Sequence, residues 1–390
     1  MNSREAFLST MSFEPDAPVL KWEYGYWVGA IRRWMREGLV VKNPLPASLG
    51  DGDADRAEAM GEKLGGFCDD DIHEMFNMDE GFRRIPLNNF MYPAFPTQVL
   101  EDHGEWVMQV NKWGIVERAN KENSSPPSFV RSPVQTWADW EVLKERLQPD
   151  LDKRLPTNWN DLVSSYEDRS YPLVLGGEQG FYGSPRYLIG DERLLTIFYD
   201  DPELVLAINE HLCNLWISIY DSILQQVDID MALIWEDMCF KTGPLISPAM
   251  FRKFMLPYYQ KLIHLFHDHG VKTIFVDTDG NCWKLIPLFL EAGVTGLYPF
   301  EVNAGMDVVK VRESFPRLQM IGGINKMALY GGSADIDKEL DYKLGSIIGL
   351  GGFIPTIDHL VPMDVSWQAF RHYRSRLNGV IDNINSNKKK

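Results

Sequence analysis

Short apolar runs alternate with amphipathic segments through the second half of the chain. Six of these runs are bounded by glycine or polar residues, which is typical of buried strands. They are YPLVLGGEQ (171–179), MALIWED (231–237), KTIFVDTDG (272–280), TGLYPFEV (295–302), LQMIGGIN (318–325) and GGFIPTID (351–358). Strands that alternate with helices are joined by right-handed crossovers, so the pattern predicts a parallel sheet.

The helices between these runs have recognisable ends. Ser247 is a favourable N-cap and Pro248 a favourable first residue for a helix that runs to Gly270. Pro257 lies inside this segment and predicts a kink. Further helices are predicted over 200–227, 283–292, 306–315 and 364–377.

The first 170 residues show a weaker pattern, with helical character over 22–37 and hairpin-like alternation over 98–120. No glycine-rich nucleotide-binding fingerprint follows any of the six runs, which argues against an open doubly wound sheet. We therefore predict an α/β fold, a TIM-type (β/α)8 barrel whose remaining strands and irregular cap come from the N-terminal half. Residues 1–130 would form the cap and hairpin region, 131–380 the barrel, and 381–390 a polar tail.

Composition limits the partners. The 390 residues are 45% hydrophobic, with a formal net charge of -16 and a pI near 5.0. Such a charge argues against duplex nucleic acid and anionic membranes as partners. The N-terminus lacks the apolar run of a secretion signal, and no run is long enough to span a membrane. We expect a cytoplasmic protein, and a homodimer is compatible with these observations.

Acidic residues follow most of the predicted strands. Asp277 and Asp279 are two apart, so on a strand they share a face at the C-terminal end, where barrel enzymes hold their active sites. A carboxylate buried there needs a metal, a cation or a shared proton, although Asp279 could instead cap the next helix. His359 follows the last strand and is either a companion of these acids or a structural residue. We predict Asp277, Asp279, Glu236 and His359 as catalytic residues.

Further residues near the same strand ends are predicted to bind the substrate: Glu178, Tyr182, Asp237, Glu301, Asn325, Lys326 and Asp358. Two alternatives stay open, because Lys326 could pair with Glu301 and the aromatic residues could belong to the core. Asp277, Asp279 and His359 also have the ligand types of a metal site with open positions, for example for zinc or another divalent ion. Motifs of serine hydrolases, kinases and zincins are absent from the sequence.

Several longer segments together resemble the uroporphyrinogen decarboxylase superfamily, which includes corrinoid-linked methyltransferases. They are EDMCFKTGPLISPAMFRKFMLPYY (236–259), VDTDGN (276–281), GGINKMALYGG (322–332), GGFIPTIDHLVPMDV (351–365) and, as a lead-in to the barrel, SPVQTWADWEVLKERL (132–147). The resemblance implies a distorted (β/α)8 barrel with its ligand cleft at the C-terminal ends of the strands.

Two departures from that superfamily indicate the subgroup. The haem-pathway decarboxylases carry an N-terminal arginine-rich motif that ends in Gly-Arg-Tyr, and residues 22–36 contain no such motif. A cleft lined by acids would also repel their polycarboxylate substrate. The zinc-dependent thiol methyltransferases carry a His-x-Cys pair where Asp277 and Asp279 stand here, which argues against transfer to a thiol.

The resemblance then implies a methyltransferase that moves a methyl group from a small methoxy or methylamine-type donor to the corrinoid (cobalamin) of a partner protein. A methyl ether departs only when its oxygen is protonated or bound to a Lewis acid. Asp277, with a pKa raised by Asp279, could donate that proton, or a metal on the trio with His359 could polarise the oxygen. A decarboxylase of a tetrapyrrole or other small acid, and a barrel that only binds a corrinoid, are the alternatives.

Overall fold

Seven parallel strands form a curled sheet at the centre of the molecule, and they follow one another across it in chain order. The computed structural model describes residues 1–46, 49–55, 68–121, 127–177 and 179–388. The strands are β1 (Arg83–Arg84), β2 (Leu173–Gly176), β3 (Met231–Trp235), β4 (Ile274–Asp277), β5 (Gly296–Tyr298), β6 (Gln319–Ile324) and β7 (Phe353–Ile357). All six strands predicted from the apolar runs are confirmed, and β1 adds a seventh from the N-terminal half.

Large apolar side chains fill the inside of the curled sheet. This inner cluster comprises Val174, Met231, Leu233, Phe275, Tyr298, Ile321 and Ile354 from the strands, Phe82 just before β1, and Phe7, Trp22 and others from the first 22 residues. Side chains two apart on a strand share a face. Arg84 therefore points inward above Phe82, and Asp277 points inward above Phe275, both at the C-terminal end of the sheet.

Residues 20–27 fill the gap between β7 and β1. On one side, the backbone N–H of Val361 donates to the carbonyl of Gly25 at 2.9 Å. On the other, the N–H of Asp79, just before β1, donates to the carbonyl of Lys21 at 3.1 Å. This segment takes the place of an eighth strand, so the predicted TIM-type architecture is confirmed, and the N-terminal half completes it.

A buried ion pair fixes that closing segment to the last helix, Trp367–Lys388. Arg374 Nη1 lies 3.2 Å from Glu23 Oε2, and both side chains are 0% exposed. The other carboxylate oxygen of Glu23 accepts from the backbone N–H groups of Ile357 in β7 and of Tyr24, each at 3.0 Å. The pair thereby joins the start of the fold, its last strand and its last helix.

Helices cover the outside of the sheet and the cap. They are Ser3–Met11, Val28–Arg36, Cys68–Met75, Trp137–Leu143, Leu151–Arg154, Trp159–Ser165, Gly183–Ile189, Asp191–Asp200, Pro202–Leu224, Pro248–Phe254, Leu256–Asp268, Ile286–Ala292, Val308–Ser314, Ser333–Ile347 and Trp367–Lys388. As predicted, Ser247 caps its helix, and the helix breaks at Met255, just before Pro257. Within the described ranges, none of the helices is long and apolar enough to cross a membrane.

An antiparallel sheet of four strands forms the cap, and it includes the predicted hairpin: Gln98–Asp102, Trp106–Val110, Val116–Asn120 and Ser128–Arg131. Two differences from the sequence predictions concern the ends of the fold. The helix expected over 22–37 starts only at Val28, because the residues before it are extended and close the barrel. The expected tail from 381 is helical to Lys388, because fully buried Ile381 continues the apolar face of the last helix.

Candidate active site

The C-terminal ends of the strands open into a cleft, called the mouth below, where six of the predicted site residues lie together. Ring stacking, ion pairs and mutual effects on pKa connect its members. Those predicted from the sequence are Asp237, Asp277, Asp279, Glu301, Lys326 and His359. Those that sequence reasoning missed are Tyr24, Trp27, Arg84, Arg186 and Tyr298.

Asp277 ends β4 and points into the mouth from the inner face of the sheet. Burial, and then the negative charges of Asp279 and Asp237, raise the pKa of Asp277 well above its usual range. Arg84 and the Tyr298 hydroxyl act in the opposite direction, and their effects are smaller. The raised pKa favours the protonated form of Asp277, which is a carboxylic acid that can donate its proton.

Asp279 lies beside it in a similar environment. Burial raises the pKa of Asp279 to about 7, and the charges of Asp237 and Glu301 act in the same direction. Its Oδ1 is buried and has no hydrogen-bond partner. The alternative role as a helix cap does not hold, because the backbone N–H of Trp283 donates to the side chain of Asn281 instead, at 3.2 Å.

His359 is held in an aromatic stack at the rim. Its ring lies on Tyr24, with centroids 5.3 Å apart and planes 26° apart, and tilts towards Trp27 at 6.3 Å. Burial, together with the positive charge of Lys326, lowers the pKa of His359 to about 4, so the imidazole is neutral at neutral pH. Its Nε2 lies 3.7 Å from Asp279 Oδ2, which is too long for a hydrogen bond.

These positions bear on the predicted metal trio of Asp277, Asp279 and His359. A neutral imidazole and the partner-free Oδ1 of Asp279 suit a metal ligand. Within the part of the chain that the structure describes, however, no three His, Cys, Asp or Glu side chains are placed to hold a metal ion. The trio therefore does not form a ready metal site in this conformation, and metal binding stays a prediction.

Glu301 and Lys326 form an ion pair across the mouth, with Nζ 3.4 Å from Oε1, as one alternative foresaw. Asp358, predicted to bind substrate, supports the loops that carry them. It is 0% exposed, and it accepts from the backbone N–H groups of Lys326 and Val302, both at 2.8 Å. Because both of its carboxylate oxygens accept hydrogen bonds from the backbone, Asp358 connects the two loops and does not face the mouth.

Glu236 also occupies a different place from the catalytic one predicted for it. It is 0% exposed and accepts from the backbone N–H groups of Phe181, Tyr182 and Gly183 at 2.6–3.0 Å. The hydroxyl of Tyr259 donates to it at 2.5 Å. Burial raises the pKa of Glu236 to about 6, while these hydrogen bonds lower it. Glu236 holds the loop after β2 in position and has no free oxygen for a substrate.

Of the remaining residues predicted to bind substrate, one reaches the mouth and others have structural roles. Asp237 reaches the mouth, where its Oδ2 pairs with Arg186 Nη1 at 2.6 Å. Tyr182 is 2% exposed and belongs to the core, as the alternative reading of the aromatic residues proposed. The Asn325 side chain accepts from the N–H of Met327 and caps a short helical turn. Glu178 lies outside the described residues.

The buried cluster around Glu236 gives a prediction about stability. At about pH 8, above the raised pKa of Glu236, we expect Tyr259→Phe to lower the free energy of unfolding by about 1.5–3 kcal/mol, because a hydrogen bond to a buried charge is lost. The matched control is Tyr258→Phe, which removes a bond to the neutral carbonyl of Leu206 and should cost about 0.5–1.5 kcal/mol.

Urea unfolding at two pH values measures both losses. Below about pH 4, which is under both the ordinary pKa of a glutamate and the raised pKa of Glu236, this carboxyl is mostly protonated in the folded and the unfolded protein, so the excess loss of Tyr259→Phe over Tyr258→Phe should shrink. Equal losses for the two variants at both pH values would contradict the role assigned to this hydrogen bond.

The mouth is more evenly charged than the sequence suggested. Asp237 and Glu301 are paired with Arg186 and Lys326, and the raised pKa of Asp277 favours its uncharged form. Arg84 adds a third positive charge from the end of β1. Among the described residues the acids predicted for the mouth are present, and three cations balance part of their charge.

Comparison with known proteins agrees with this architecture. A model of the family described as uroporphyrinogen decarboxylase (URO-D) matches residues 120–376. Uroporphyrinogen decarboxylases from Geobacter sp. (strain M21) and Citrifermentans bemidjiense are 25% and 24% identical over 250 residues, which cover 60% of this chain and 68% of each relative. A solved methyltransferase from Methanosarcina mazei superposes with a TM-score of 0.59 at 15% identity, covering 98% of this chain and 99% of that one. At that identity the likeness shows the fold.

Proposed function

The chain belongs to the uroporphyrinogen decarboxylase family, and from this membership we propose that it is a methyltransferase that moves a methyl group from a small methyl ether to a corrinoid on a partner protein. The likeness to a methyltransferase over nearly the whole of both chains supports this choice within the family. The observation that carries the proposal is the place of Asp277, a carboxyl group at the mouth of the barrel whose pKa is raised by burial and by the charge of Asp279.

A protonated acid meets the main requirement of this chemistry. The bond between the methyl carbon and the ether oxygen breaks while the methyl carbon bonds to the reduced cobalt of the acceptor, and the electron pair of the broken bond stays on the oxygen. An alkoxide or phenolate is a poor leaving group, so the oxygen must gain a proton as it departs. Asp277 gives that proton, the product leaves as an alcohol or phenol, and solvent reprotonates the carboxylate.

The charges at the mouth favour a methyl ether over a methylammonium donor. A cationic donor would need several unpaired carboxylates around it, whereas Asp237 and Glu301 are paired and the raised pKa of Asp277 favours its neutral form, which leaves Asp279. Arg84 would also repel it. The Tyr24 and His359 rings offer a flat apolar surface against which the organic part of an ether can pack.

The acceptor would reach the donor from above the mouth. Apolar and aromatic side chains stand exposed on loops at this end of the barrel, among them Phe240 after β3 and Met327 and Tyr330 after β6, with 63%, 49% and 42% of their surfaces exposed. We expect the corrinoid protein to dock over this rim, because the cobalt must come within bonding distance of the methyl group.

Decarboxylation is the second candidate, because the curated relatives are decarboxylases. That reaction also needs a proton, delivered to the carbon that loses carbon dioxide, and Asp277 could supply it. Its substrate would then lie at the same mouth.

One pair of assays separates the two reactions. Incubation of the protein with reduced cobalamin and methoxylated aromatic compounds should give methylcobalamin, visible in the absorption spectrum, at a rate proportional to protein concentration. A decarboxylase would release carbon dioxide from a tetrapyrrole acid with no cobalamin present. Release of carbon dioxide together with no methylcobalamin from the whole set of ethers would reject methyl transfer.

A further inference from the structure

Two adjacent arginines end β1, and the structure uses them differently. Arg83 points outward, where Nη2 pairs with Glu80 at 2.5 Å and the guanidinium lies 3.7 Å from the centre of the Tyr171 ring. Arg84 shares its face with Phe82, which belongs to the inner cluster, so its side chain enters the mouth from inside the barrel. Arg83 therefore has the partners of a surface arginine, and Arg84 faces the site.

The guanidinium of Arg84 has no carboxylate partner within the described ranges. Its Nε is buried and makes no hydrogen bond, which is true of Arg83 as well, so the two differ in the carboxylate partner that Arg83 has in Glu80. Its electrostatic neighbours are Asp277, which forms no ion pair with it and whose raised pKa favours the neutral acid, and the hydroxyls of Tyr24 and Tyr298. The other two cations of the mouth, Arg186 and Lys326, each have an acid beside them.

A glycine makes room for this side chain. A Cβ atom at Gly177 would lie 3.0 Å from Cζ and 3.2 Å from Nε of Arg84. Gly177 also has a φ of +110°, a conformation that other residues rarely adopt. The end of β2 therefore leaves a space that the guanidinium occupies, which fixes the position of its charge.

An unpaired cation in a partly desolvated site is costly, and a ligand with an opposite charge would offset that cost. Guanidinium matches a carboxylate group with two parallel hydrogen bonds. We propose that Arg84 binds a carboxylate of the methyl donor and selects small methoxylated carboxylic acids as substrates. This inference rests on the methyltransferase function proposed above, because the same donor must also present its ether oxygen to Asp277.

Binding without turnover tests the inference first. The probes are the 2-, 3- and 4-methoxybenzoates and the corresponding methoxybenzamides, which keep the shape and lose the charge. Wild-type protein should bind at least one benzoate more tightly than its amide, by roughly tenfold to hundredfold, because a charge-assisted pair is lost with the amide. Arg84→Met should abolish this preference, and Arg83→Met, the matched control on the same strand, should keep it.

Affinity is read from the rise in melting temperature with ligand concentration, with each variant compared with its own ligand-free form. A variant with lower stability can therefore still show whether it binds the benzoate more tightly than the amide. Arg84→Lys keeps the charge and loses the two parallel bonds, so it should keep only part of the preference. Equal affinity of the wild type for every benzoate and its amide would overturn the inference, and so would an unchanged preference in Arg84→Met.

Turnover then separates this inference from the function on which it rests. If wild-type protein binds a methoxybenzoate through Arg84 but makes no methylcobalamin from it, methyl transfer is wrong and the carboxylate site stands. If methyl transfer proceeds equally well from benzoates and amides, and Arg84→Met shifts only the pH profile, the carboxylate site is wrong. In that case Arg84 acts by tuning the pKa of Asp277.

Discussion

Replacing Asp277 with asparagine is expected to lower the rate of methyl transfer about 10²–10⁴-fold, the usual contribution of a general acid. Asparagine fills nearly the same volume but cannot give a proton to the departing oxygen. Affinity for the donor should change little, so the loss should fall on kcat. Formation of methylcobalamin under single-turnover conditions measures the chemical step directly.

The pH dependence of methyl transfer is a second test of Asp277 as the proton donor. Because only the protonated carboxyl group donates, the wild-type rate should fall as pH rises through the raised pKa of Asp277. Ionisation of Asp279, near pH 7, places a negative charge beside Asp277 and favours its protonated form, so the fall should move to higher pH than it would have without Asp279. The Asp277→Asn variant should show no such fall.

A control for this prediction is Asp268→Asn, which changes an exposed aspartate at the end of the helix before β4, at the opposite end of that strand from Asp277. Its rate and pH profile should match those of the wild type. Should Asp277→Asn retain the wild-type rate, the acid that protonates the leaving group is a different residue.

Replacing Arg374 with methionine is expected to lower the free energy of unfolding by about 3–5 kcal/mol, because it leaves the carboxylate of Glu23 buried without its counter-ion. That carboxylate also holds backbone N–H groups of Tyr24 and Ile357, so it cannot turn towards solvent. Urea unfolding, followed by circular dichroism, measures the loss.

Arg376→Met, two residues further along the same helix, is the matched control. Arg376 is 41% exposed and pairs with Asp341 at 2.8 Å, and an exposed pair of this kind contributes at most about 1 kcal/mol. Adding Glu23→Gln to Arg374→Met removes the unpaired charge and should recover part of the stability. Similar losses for Arg374→Met and Arg376→Met would show that the buried ion pair contributes no more to the free energy of unfolding than the exposed pair does.

The strands could be predicted where the sequence carries a pattern long enough to recognise. Strands of a parallel sheet are buried on both faces, so β2 to β7 appear as apolar runs. The two residues of β1 are too few to show a period, and the closing segment 20–27 resembled the start of a helix. These two elements carry Arg84 and Tyr24, which is why sequence reasoning missed both.

The position of an acid at the end of a strand does not by itself show whether the acid faces the mouth. In β4, Phe275 packs inside the barrel and Asp277, two residues later, faces the mouth. In β3, Leu233 packs inside and Ile234 packs outside under the helices, so Glu236 lies on the outer face. Both acids follow similar apolar runs. Their roles differ because one strand turns its acid towards the inside of the barrel and the other turns its acid towards the outside. Which face of a strand points inward depends on its contacts with strands that are distant in the sequence, so the sequence of one strand does not reveal it.

The closure of the barrel by residues 20–27 has a consequence for synthesis in the cell. While the chain is still emerging from the ribosome, the counter-ion of Glu23 has not yet been made, and the inner apolar layer stays open along the edge between the first and last strands. We expect nascent chains that stop short of residue 374 to expose this layer, to bind chaperones and to aggregate when released.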